Sequence, residues 1–367
     1  MKVALVHCYS WPAVRRGAER YLSDLSWALA ASGVDVEVIT GTDGPSRTEE
    51  VDGVLTHHRH FLAAQLLARR GVTPLDAFGL SALPVLARHR YDVVHALVPS
   101  AALAARLTGQ RTVYTVLGHP TAAQLAGGRP LNRPLLIAAA RRATVTTALS
   151  VASATAVRTL LGADARVLPP GVRLDAFTPR LEARTGPVRI LFSAAADEPR
   201  KGLEVALRAL AEVRRVHPGA RLGVSGGGSP TGALDRLGAA GVELAGAVDS
   251  LGTGTLEEVP GRYRDATVTV LPARDEAFGL ALVESLACGT PVVCTDDGGM
   301  PEIVDSPAVG RVAPLDDPVA LGRALLETIA LAADPATPAH CATHARRWGW
   351  REVVGPAHVA LYRELRR

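Results

Sequence analysis

The stretch TVTVLPARDEAFGLALVESLACGTPVVCTD, residues 267–296, contains two short apolar runs with a helical segment between them. The runs at 267–273 and 290–296 are typical of buried strands. An order of strand, helix and strand indicates a βαβ unit in a mostly parallel sheet. Two carboxylates lie at the ends of the apolar part of the helical segment: Glu276 on the loop after the first strand, and Glu284 about two turns into the helix.

The same alternation of strand and helix occurs in two series along the chain. The first series opens with KVALVH at 2–7, and the second opens with VRILFSA at 188–194. Between them, LPPGVRLDAFTPRLEARTGP (168–187) is rich in Pro, Gly and charge, which predicts a linker. The other predicted strands are VDVEVIT (34–40), YDVVHAL (91–97), RTVYTVL (111–117), ATVTTAL (143–149), RLGVSG (221–226) and VELAG (242–246).

These series predict two open α/β sheets of Rossmann type. Such sheets bind ligands beyond the carboxyl ends of their strands, so two sheets that face each other would form a cleft. The predicted domains are residues 1–180, residues 181–345 and a terminal segment at 346–367. A chain of 367 residues has the length for two domains.

Charge is distributed unevenly along the sequence. Residues 1–180 hold 20 Lys+Arg and 12 Asp+Glu, a net charge of +8, whereas the rest holds 20 and 24, a net charge of −4. The first part is therefore the better candidate for contact with anionic partners. Arginines that merely solvate the surface are the alternative, and charge counting does not decide between the two.

Other patterns predict no further site. The four cysteines have neither metal-ligand spacing nor a disulfide framework, and His57, His58 and His60 indicate a polar loop. GVSGGGSP (223–230) lacks the Lys-Ser/Thr ending of a phosphate-binding P-loop and predicts a turn after a strand. MKVALVH is too short for a signal peptide, and no segment approaches a membrane span, so we expect a cytoplasmic protein.

The loop and helix around Phe278, Gly279 and Leu280 have the features of an anion site. Amides at a helix N-terminus bind anions, and a glycine lets the backbone approach a ligand closely. Carboxylates on either side of such a turn would accept hydrogen bonds from hydroxyl groups. A sugar nucleotide needs this combination, because it carries sugar hydroxyls and a diphosphate.

The block EAFGLALVESLACGTPVVCTDDGGMPE (276–302) resembles the family 4 type of retaining glycosyltransferases with the GT-B fold. It carries two Glu residues separated by seven positions, a Phe-Gly-Leu turn, Gly-Thr-Pro-Val-Val and Gly-Met-Pro-Glu. Three other segments resemble the family's opening motif, its pre-linker motif and its terminal helix. These are RRGAERYLSDLSWALAASGVDVEVIT (15–40), LPPGVRLDAF (168–177) and RRWGWREVVGPAHVALYREL (346–365).

The resemblance implies two Rossmann-like domains that face each other across a cleft, with a C-terminal helix that crosses back to the first domain. It also implies that the first domain binds the acceptor and the second binds the nucleotide sugar. The first Glu of the pair, Glu276, would hold hydroxyls of the donor sugar near the reacting carbon, and Glu284 would hold the ribose. Phe278, Gly279 and Leu280 would form the diphosphate turn.

The resemblance assigns roles to the remaining site residues as well. Lys201 matches a lysine that neutralises the diphosphate, and the neighbouring Arg200 can supply the charge of a family arginine that Ala195 and Ala196 replace here. His119 would face the cleft near the donor sugar. The first-loop glycine that approaches the diphosphate corresponds to Gly17, although Arg16 stands where a second glycine is common. The family needs neither a metal nor a cofactor, so Asp296 and Asp297 are not predicted to bind a metal.

The sequence thus predicts retaining, metal-independent transfer of a sugar from a nucleotide-diphosphate sugar to a glycan, lipid or natural-product aglycone. The alternatives are a sugar-nucleotide epimerase or phosphorylase of the same fold, and a degenerate subunit without catalysis. HFLAAQLLARR (60–70), which ends in Arg69 and Arg70, favours an acceptor that is anionic or presented at the inner membrane face. A soluble acceptor is the competing hypothesis, and the sequence does not indicate the base or the sugar.

Overall fold

The computed structural model describes residues 1–14, 16–62, 71–127, 131–182 and 186–367. Most of the segment 60–70, including Arg69 and Arg70, lies outside these described residues.

The chain forms two compact units. One unit comprises Met1–Gly171 together with Trp350–Arg367, and the other comprises Val172–Gly349. The boundaries predicted from the sequence lie at residues 180 and 345, whereas those of the structure lie at residues 171 and 349. The predicted α/β class follows from the sheets of both units, which are built from parallel strands.

The first unit is built on a sheet in which eight strands are described, in the order β3-β4-β2-β1-β5-β6-β7-β8. All neighbours are parallel except β3, which pairs antiparallel with β4 at one edge. The strands are Lys2–Val6 (β1), Asp35–Thr42 (β2), Arg47–Val51 (β3), Val54–His60 (β4), Val93–Ala96 (β5), Thr112–Val116 (β6), Val145–Ala148 (β7) and Ala165–Val167 (β8).

Helices alternate with the strands of this unit. They are Gly17–Ala31 (α1), Pro74–Arg88 (α2), Pro99–Leu107 (α3), Ala122–Gly127 (α4), Asn132–Arg142 (α5) and Val151–Ala156 (α6). The predicted first helix is present, and it buries Tyr21, Leu22, Leu25 and Leu29 at helical spacing.

The second unit is built on a sheet in which six strands are described, all parallel, in the order β11-β10-β9-β12-β13-β14. Its strands are Arg189–Phe192 (β9), Arg221–Ser225 (β10), Val248–Gly252 (β11), Val268–Leu271 (β12), Val292–Thr295 (β13) and Gly310–Ala313 (β14). Its helices are Leu203–Val216 (α7), Thr231–Arg236 (α8), Ala239–Ala245 (α9), Glu258–Asp265 (α10), Leu280–Ala287 (α11), Pro318–Ala332 (α12) and Thr337–Ala345 (α13). The last helix of the chain, Gly355–Arg366 (α14), belongs to the first unit.

Two predicted elements are wrong. VELAG (242–246) is not a strand, because its first four residues continue α9, and the strand β11 begins later, at Val248. Within α9 the buried residues are Gly241 and Leu244, whereas Val242 is exposed, and a separation of three is helical spacing.

The predicted polar loop at the histidine cluster is a strand, since His57, His58 and His60 all lie on β4. His57 is buried there because both of its ring nitrogens have polar partners on neighbouring strands. Its Nε2 lies 3.0 Å from Glu37 Oε2, and its Nδ1 lies 3.1 Å from Thr48 Oγ1.

Candidate active site

The carboxyl ends of β9 and β12 carry the residues that form the centre of the candidate site. The two strands are hydrogen-bonded neighbours in the sheet, so the loops that follow them emerge side by side. The loop after β9 leads to a 3-10 turn, Pro199–Lys201, and the loop after β12 leads to Glu276. A main-chain bond of 2.7 Å from the Arg274 amide to the Arg200 carbonyl joins the two loops.

Two cations contact the carboxylate of Glu276. Lys201 Nζ lies 2.6 Å from Glu276 Oε2, and Arg200 Nη1 lies 3.3 Å from the same oxygen. Burial alone raises the pKa of Glu276, but the charges and hydrogen bonds of Lys201 and Arg200 outweigh it, so the pKa lies below its ordinary value. Arg200 also forms an ion pair with Glu198 and is more exposed than Lys201. Among the predicted site residues, the structure therefore brings these three together.

Two glycines allow the loops to pack this closely. Gly202 has a φ of +77°, and a Cβ atom at this position would lie 2.0 Å from the Pro272 carbonyl oxygen. Gly298 has a φ of +60°, and its Cβ would lie 2.0 Å from the Glu276 carbonyl oxygen. The same oxygen accepts a hydrogen bond of 2.9 Å from the Gly299 amide. The turn after β13 thus fixes the backbone of Glu276, which explains the glycine at position 298.

Helix α11 begins immediately after Gly279, whose φ is +105°. The first amides of an α-helix have no partner within the helix, so the start of α11 can donate hydrogen bonds to an anion. The Phe278 ring does not take part in this, because it is buried and packs edge-on against Trp348, with 6.1 Å between ring centroids. Leu280 is the first residue of the helix and is half-buried.

Glu284 lies on α11 and is buried, with 4% of its surface exposed. Tyr263 donates a hydrogen bond of 2.8 Å to Glu284 Oε2, and its own oxygen lies 2.8 Å from Ser193 Oγ. Tyr263 and Ser193 were not identified from the sequence. A buried tyrosine is known to need a polar partner, but the sequence does not show that the partner is a carboxylate 21 positions further on.

The two remaining predicted residues, His119 and Gly17, belong to the first unit. His119 follows β6 and is half-buried, and its Nδ1 lies 3.2 Å from Ser153 Oγ on α6. Gly17 is the first residue of α1 and is exposed; a Cβ atom there would meet no atom within 4 Å.

Asp296 and Asp297, which follow β13, accept hydrogen bonds from backbone amides. Asp296 Oδ1 accepts a hydrogen bond of 2.7 Å from the Leu315 amide, and Asp297 Oδ1 accepts one of 3.2 Å from the Asp275 amide. Within the described part of the chain, no group of three or more His, Cys, Asp or Glu residues is arranged to bind a metal ion. None of the helices described has the length and apolar character needed to cross a membrane.

Comparison with known proteins connects this arrangement to a family. Residues 15–176 match the sequence profile of Glycosyltransferase Family 4, and residues 179–348 match that of Glycosyl transferases group 1. A D-inositol 3-phosphate glycosyltransferase of Geodermatophilus obscurus is 30% identical over 383 residues, which cover 94% of this chain and 84% of that protein. The chain belongs to the group 1 glycosyltransferases. It is therefore an enzyme that transfers a sugar from a nucleotide sugar, as the sequence predicted.

Solved structures of glycosyltransferases with the GT-B fold superpose on this chain. Sucrose-phosphate synthase from Thermosynechococcus elongatus superposes with a TM-score of 0.81 at 22% identity, over 99% of this chain and 98% of that one. Anabaena HepE, solved in complex with UDP and glucose, gives a TM-score of 0.71 at 18% identity, over 98% and 99% of the two chains. The predicted GT-B fold is confirmed.

Proposed function

We propose that this glycosyltransferase transfers a hexose from a UDP-sugar to a phosphorylated polyol, with retention of configuration and without a metal ion or cofactor. The observation that carries the proposal is the contact of Lys201 and Arg200 with Glu276 at the carboxyl ends of β9 and β12. This contact puts two fixed positive charges next to a carboxylate that can accept hydrogen bonds from sugar hydroxyls.

The positive charges support a mechanism without a metal. Breaking the glycosidic bond leaves negative charge on the departing diphosphate, and a preorganised cation stabilises that charge in the transition state. In many enzymes a metal ion supplies this charge. Here the Lys201 ammonium and the Arg200 guanidinium are available, and the amides at the start of α11 add further hydrogen-bond donors.

Retention of the anomeric configuration is supported by the ionised state of the Glu276 carboxylate. A carboxylate with a lowered pKa that is ion-paired to two cations is ionised at neutral pH, and it is a weak base and a weak nucleophile. The proton of the acceptor hydroxyl then passes to the departing phosphate on the same face of the sugar. Attack on the face from which the phosphate leaves retains the anomeric configuration.

The other predicted residues receive roles in the same scheme. Glu284 would hold the ribose hydroxyls, with its position fixed by Tyr263. Gly17 would lie against the diphosphate, and His119 would contact the donor sugar. These two assignments rest on the resemblance of their sequence motifs to the family.

Two observations support a phosphorylated polyol as the acceptor: the net positive charge of residues 1–180 and the substrate for which a relative is named. Residues 1–180 carry a net charge of +8, which favours an anionic acceptor. The relative from Geodermatophilus obscurus is named for D-inositol 3-phosphate, a phosphorylated polyol. An acceptor presented at an anionic membrane surface is the alternative, and it depends on residues 60–70.

The test is to incubate the protein with UDP-glucose and other UDP-hexoses, with D-inositol 3-phosphate as acceptor, in the presence and absence of EDTA. We expect an α-linked product from an α-linked donor, identified by the NMR coupling of its anomeric proton, and equal rates with and without EDTA. A β-linked product would overturn retention, and activity lost in EDTA but restored by Mg²⁺ would overturn metal independence. Transfer only to an acceptor on anionic vesicles would support the membrane alternative.

A further inference from the structure

Trp348, near the end of the second unit, contacts the turn from which α11 starts. We call this turn, Phe278–Leu280, the donor turn. The Trp348 indole is 8% exposed and packs edge-on against the Phe278 ring. Phe278 is directly followed by Gly279, the last residue before α11. The amides that come next are the hydrogen-bond donors proposed for the diphosphate. Trp348 therefore contacts the residue whose backbone leads into these donors.

The turn after β13 packs against the donor turn as well. A Cβ atom at Gly279 would lie 3.1 Å from Met300 Cγ and 3.4 Å from Ile303 Cδ1, and both of these side chains are fully buried. His344 on α13 joins the two contacts. Its Nε2 lies 2.8 Å from the Ile303 carbonyl oxygen, and its ring centroid lies 5.6 Å from that of Trp348. The backbone of the donor turn is thus held by one packed cluster, to which Trp348 belongs.

Trp348 is itself fixed by a cation and by a main-chain hydrogen bond. The guanidinium carbon of Arg347 lies 4.4 Å from the centroid of the indole, whose π electrons attract a cation. The same guanidinium forms two hydrogen bonds with Asp305, of 2.9 and 3.1 Å. The hydrogen bond from Arg347 lowers the pKa of Asp305, so the pair is charged at neutral pH. The Trp348 carbonyl accepts a hydrogen bond of 2.7 Å from the Val172 amide. The indole therefore has one fixed orientation.

We propose that Trp348 is a positioning residue for the donor diphosphate. It holds Phe278, and with it the first amides of α11, in the geometry that accepts the phosphates, and the pair of Asp305 and Arg347 holds Trp348. Hydrogen-bond donors stabilise a transition state best when they are fixed in advance, and this cluster fixes them. The inference rests on the proposed function, which assigns the diphosphate to the donor turn.

A positioning residue and an ordinary core residue differ in which part of the donor they affect. Trp348 contacts the donor turn, whereas Glu284, the proposed ligand of the ribose, lies further along α11 and is held by Tyr263. Loss of the indole should therefore weaken binding of the diphosphate and leave binding of the nucleoside nearly unchanged. Turnover at saturating donor should fall as well, because negative charge develops on the departing diphosphate in the transition state. A general loss of folded protein would weaken both ligands equally.

The experiment compares UDP with uridine, which lacks the phosphates. Calorimetric titration with UDP and saturation-transfer NMR with uridine are applied to the wild type, Trp348→Ala, Trp348→Phe and Asp305→Asn. We expect Trp348→Ala to raise the Kd for UDP at least about tenfold, and the Kd for uridine less than about twofold. Trp348→Phe should recover most of the affinity for UDP, because a ring remains against Phe278. Asp305→Asn, at an exposed carboxylate, should raise the Kd for UDP about threefold, because Arg347 is held less firmly.

Trp27→Ala is the matched control. Trp27 also lies under an arginine, with the guanidinium carbon of Arg351 4.0 Å from its ring centroid, but both residues belong to the first unit. This variant should leave both Kd values unchanged.

Three results separate the possible outcomes. Equal losses of UDP and uridine affinity in Trp348→Ala would overturn the proposal. Unchanged UDP affinity in Asp305→Asn would also overturn it, and this variant decides the matter if Trp348→Ala does not fold. If the Trp348 variants lose affinity for UDP but not for uridine, while no UDP-sugar supports transfer by the wild type, the proposed function fails and the positioning role stands.

Discussion

At the scale of single side chains, the two cations on Glu276 are not equivalent. Lys201 directs its ammonium at Glu276, whereas Arg200 divides its guanidinium between Glu276 and Glu198. Side-chain exposure is 16% for Lys201 and 39% for Arg200, so water screens the arginine more strongly. We infer that Lys201 is the main source of positive charge for the departing diphosphate.

This inequality predicts the effects of removing each cation. Lys201→Ala should lower turnover on the order of 10²-fold or more, and Arg200→Ala should lower it less. Lys201→Arg should recover only part of the loss, because a planar guanidinium places its charge differently from an ammonium. Steady-state kinetics with a UDP-sugar measures these effects, and Arg215→Ala, an exposed cation on α7, is the control. If Arg200→Ala strongly lowers turnover and Lys201→Ala does not, Arg200 and not Lys201 is the main source of positive charge.

Tyr263 is expected to act through Glu284 as a positioning residue. Tyr263→Phe removes the hydrogen bond to Oε2 and leaves a buried carboxylate held less firmly, so binding of UDP should weaken roughly tenfold. Turnover at saturating donor should change much less, because the ribose is remote from the bond that breaks. Calorimetric titration with UDP measures the first effect.

Tyr114→Phe is the control for this prediction, because Tyr114 is also buried but lies in the other unit. Equal UDP affinity in Tyr263→Phe and the wild type would show that the hydrogen bond does not support Glu284.

Some residues of the candidate site could be predicted from the sequence, and others could not. Glu276, Glu284 and Lys201 could be predicted as site residues because each lies in a local motif with fixed spacing. The contact between Lys201 and Glu276 joins residues 75 positions apart, and only the pairing of β9 with β12 brings them together. Tyr263 and Ser193 belong to no such motif, and their role exists only through packing around Glu284.

At the scale of secondary-structure elements, Gly202 connects the turn that carries Lys201 to α7. Gly202→Ala would force a Cβ atom against the Pro272 carbonyl and impose a positive φ on alanine. We expect a loss of stability of more than about 1 kcal/mol, and a loss of activity because Lys201 moves with the turn. Thermal unfolding and turnover measure the two effects.

Gly261→Ala is the matched control for this substitution. Gly261 lies within α10, and a Cβ atom there would meet no atom within 4 Å. Because alanine favours helix more than glycine does, this variant should be as stable as the wild type or more stable. If Gly202→Ala is as stable and active as Gly261→Ala, the loop accommodates a Cβ atom at position 202 and the prediction is wrong.

Elements with a strong apolar pattern were predictable, and those without one were not. The buried central strands β1, β5, β9 and β12 follow apolar runs in the sequence. Strand β3, with the sequence RTEEV, is polar and largely exposed, and it forms only because β4 offers its free edge. No local pattern marks such a strand, so its pairing could not be expected from the sequence.

At the scale of the whole molecule, buried polar groups attach the C-terminal segment to the first unit. Tyr362 on α14 lies 2.6 Å from His95 Nδ1 on β5, and Tyr21 on α1 lies 3.0 Å from His358 Nε2 on α14. Both histidines are fully buried. Burial lowers the pKa of His358 to about 4, although its bond to the Val354 carbonyl raises it, and burial also lowers the pKa of His95 well below its usual value.

These pKa values predict how stability depends on pH. In the unfolded chain a histidine takes up its proton near pH 6.5, whereas folded His358 stays neutral down to about pH 4. The unfolded state therefore binds more protons in this window, and stability should fall by about 1.4 kcal/mol per pH unit for each such histidine as pH decreases. Urea unfolding at a series of pH values measures the slope, which His358→Gln should reduce.

Two comparisons make this result specific. His60→Gln, at an exposed histidine of the same unit, should leave the slope unchanged. Glu37 does not interfere in this pH window. Burial raises its pKa, but hydrogen bonds from Lys2, Tyr91 and His57 lower it to about 2. Its contribution to the free energy of unfolding is therefore lost only below about pH 4.5. Stability that is constant between pH 6.5 and pH 4.5 would contradict the prediction.

The first unit is discontinuous along the chain, because Trp350–Arg367 completes it after the whole second unit has been made. A ribosome therefore presents Val172–Gly349 as an uninterrupted piece that can fold while translation continues. The earlier segment, Met1–Gly171, lacks α14 until Trp350–Arg367 has been translated. During synthesis the unit whose translation begins first is therefore completed only after the whole second unit has been translated.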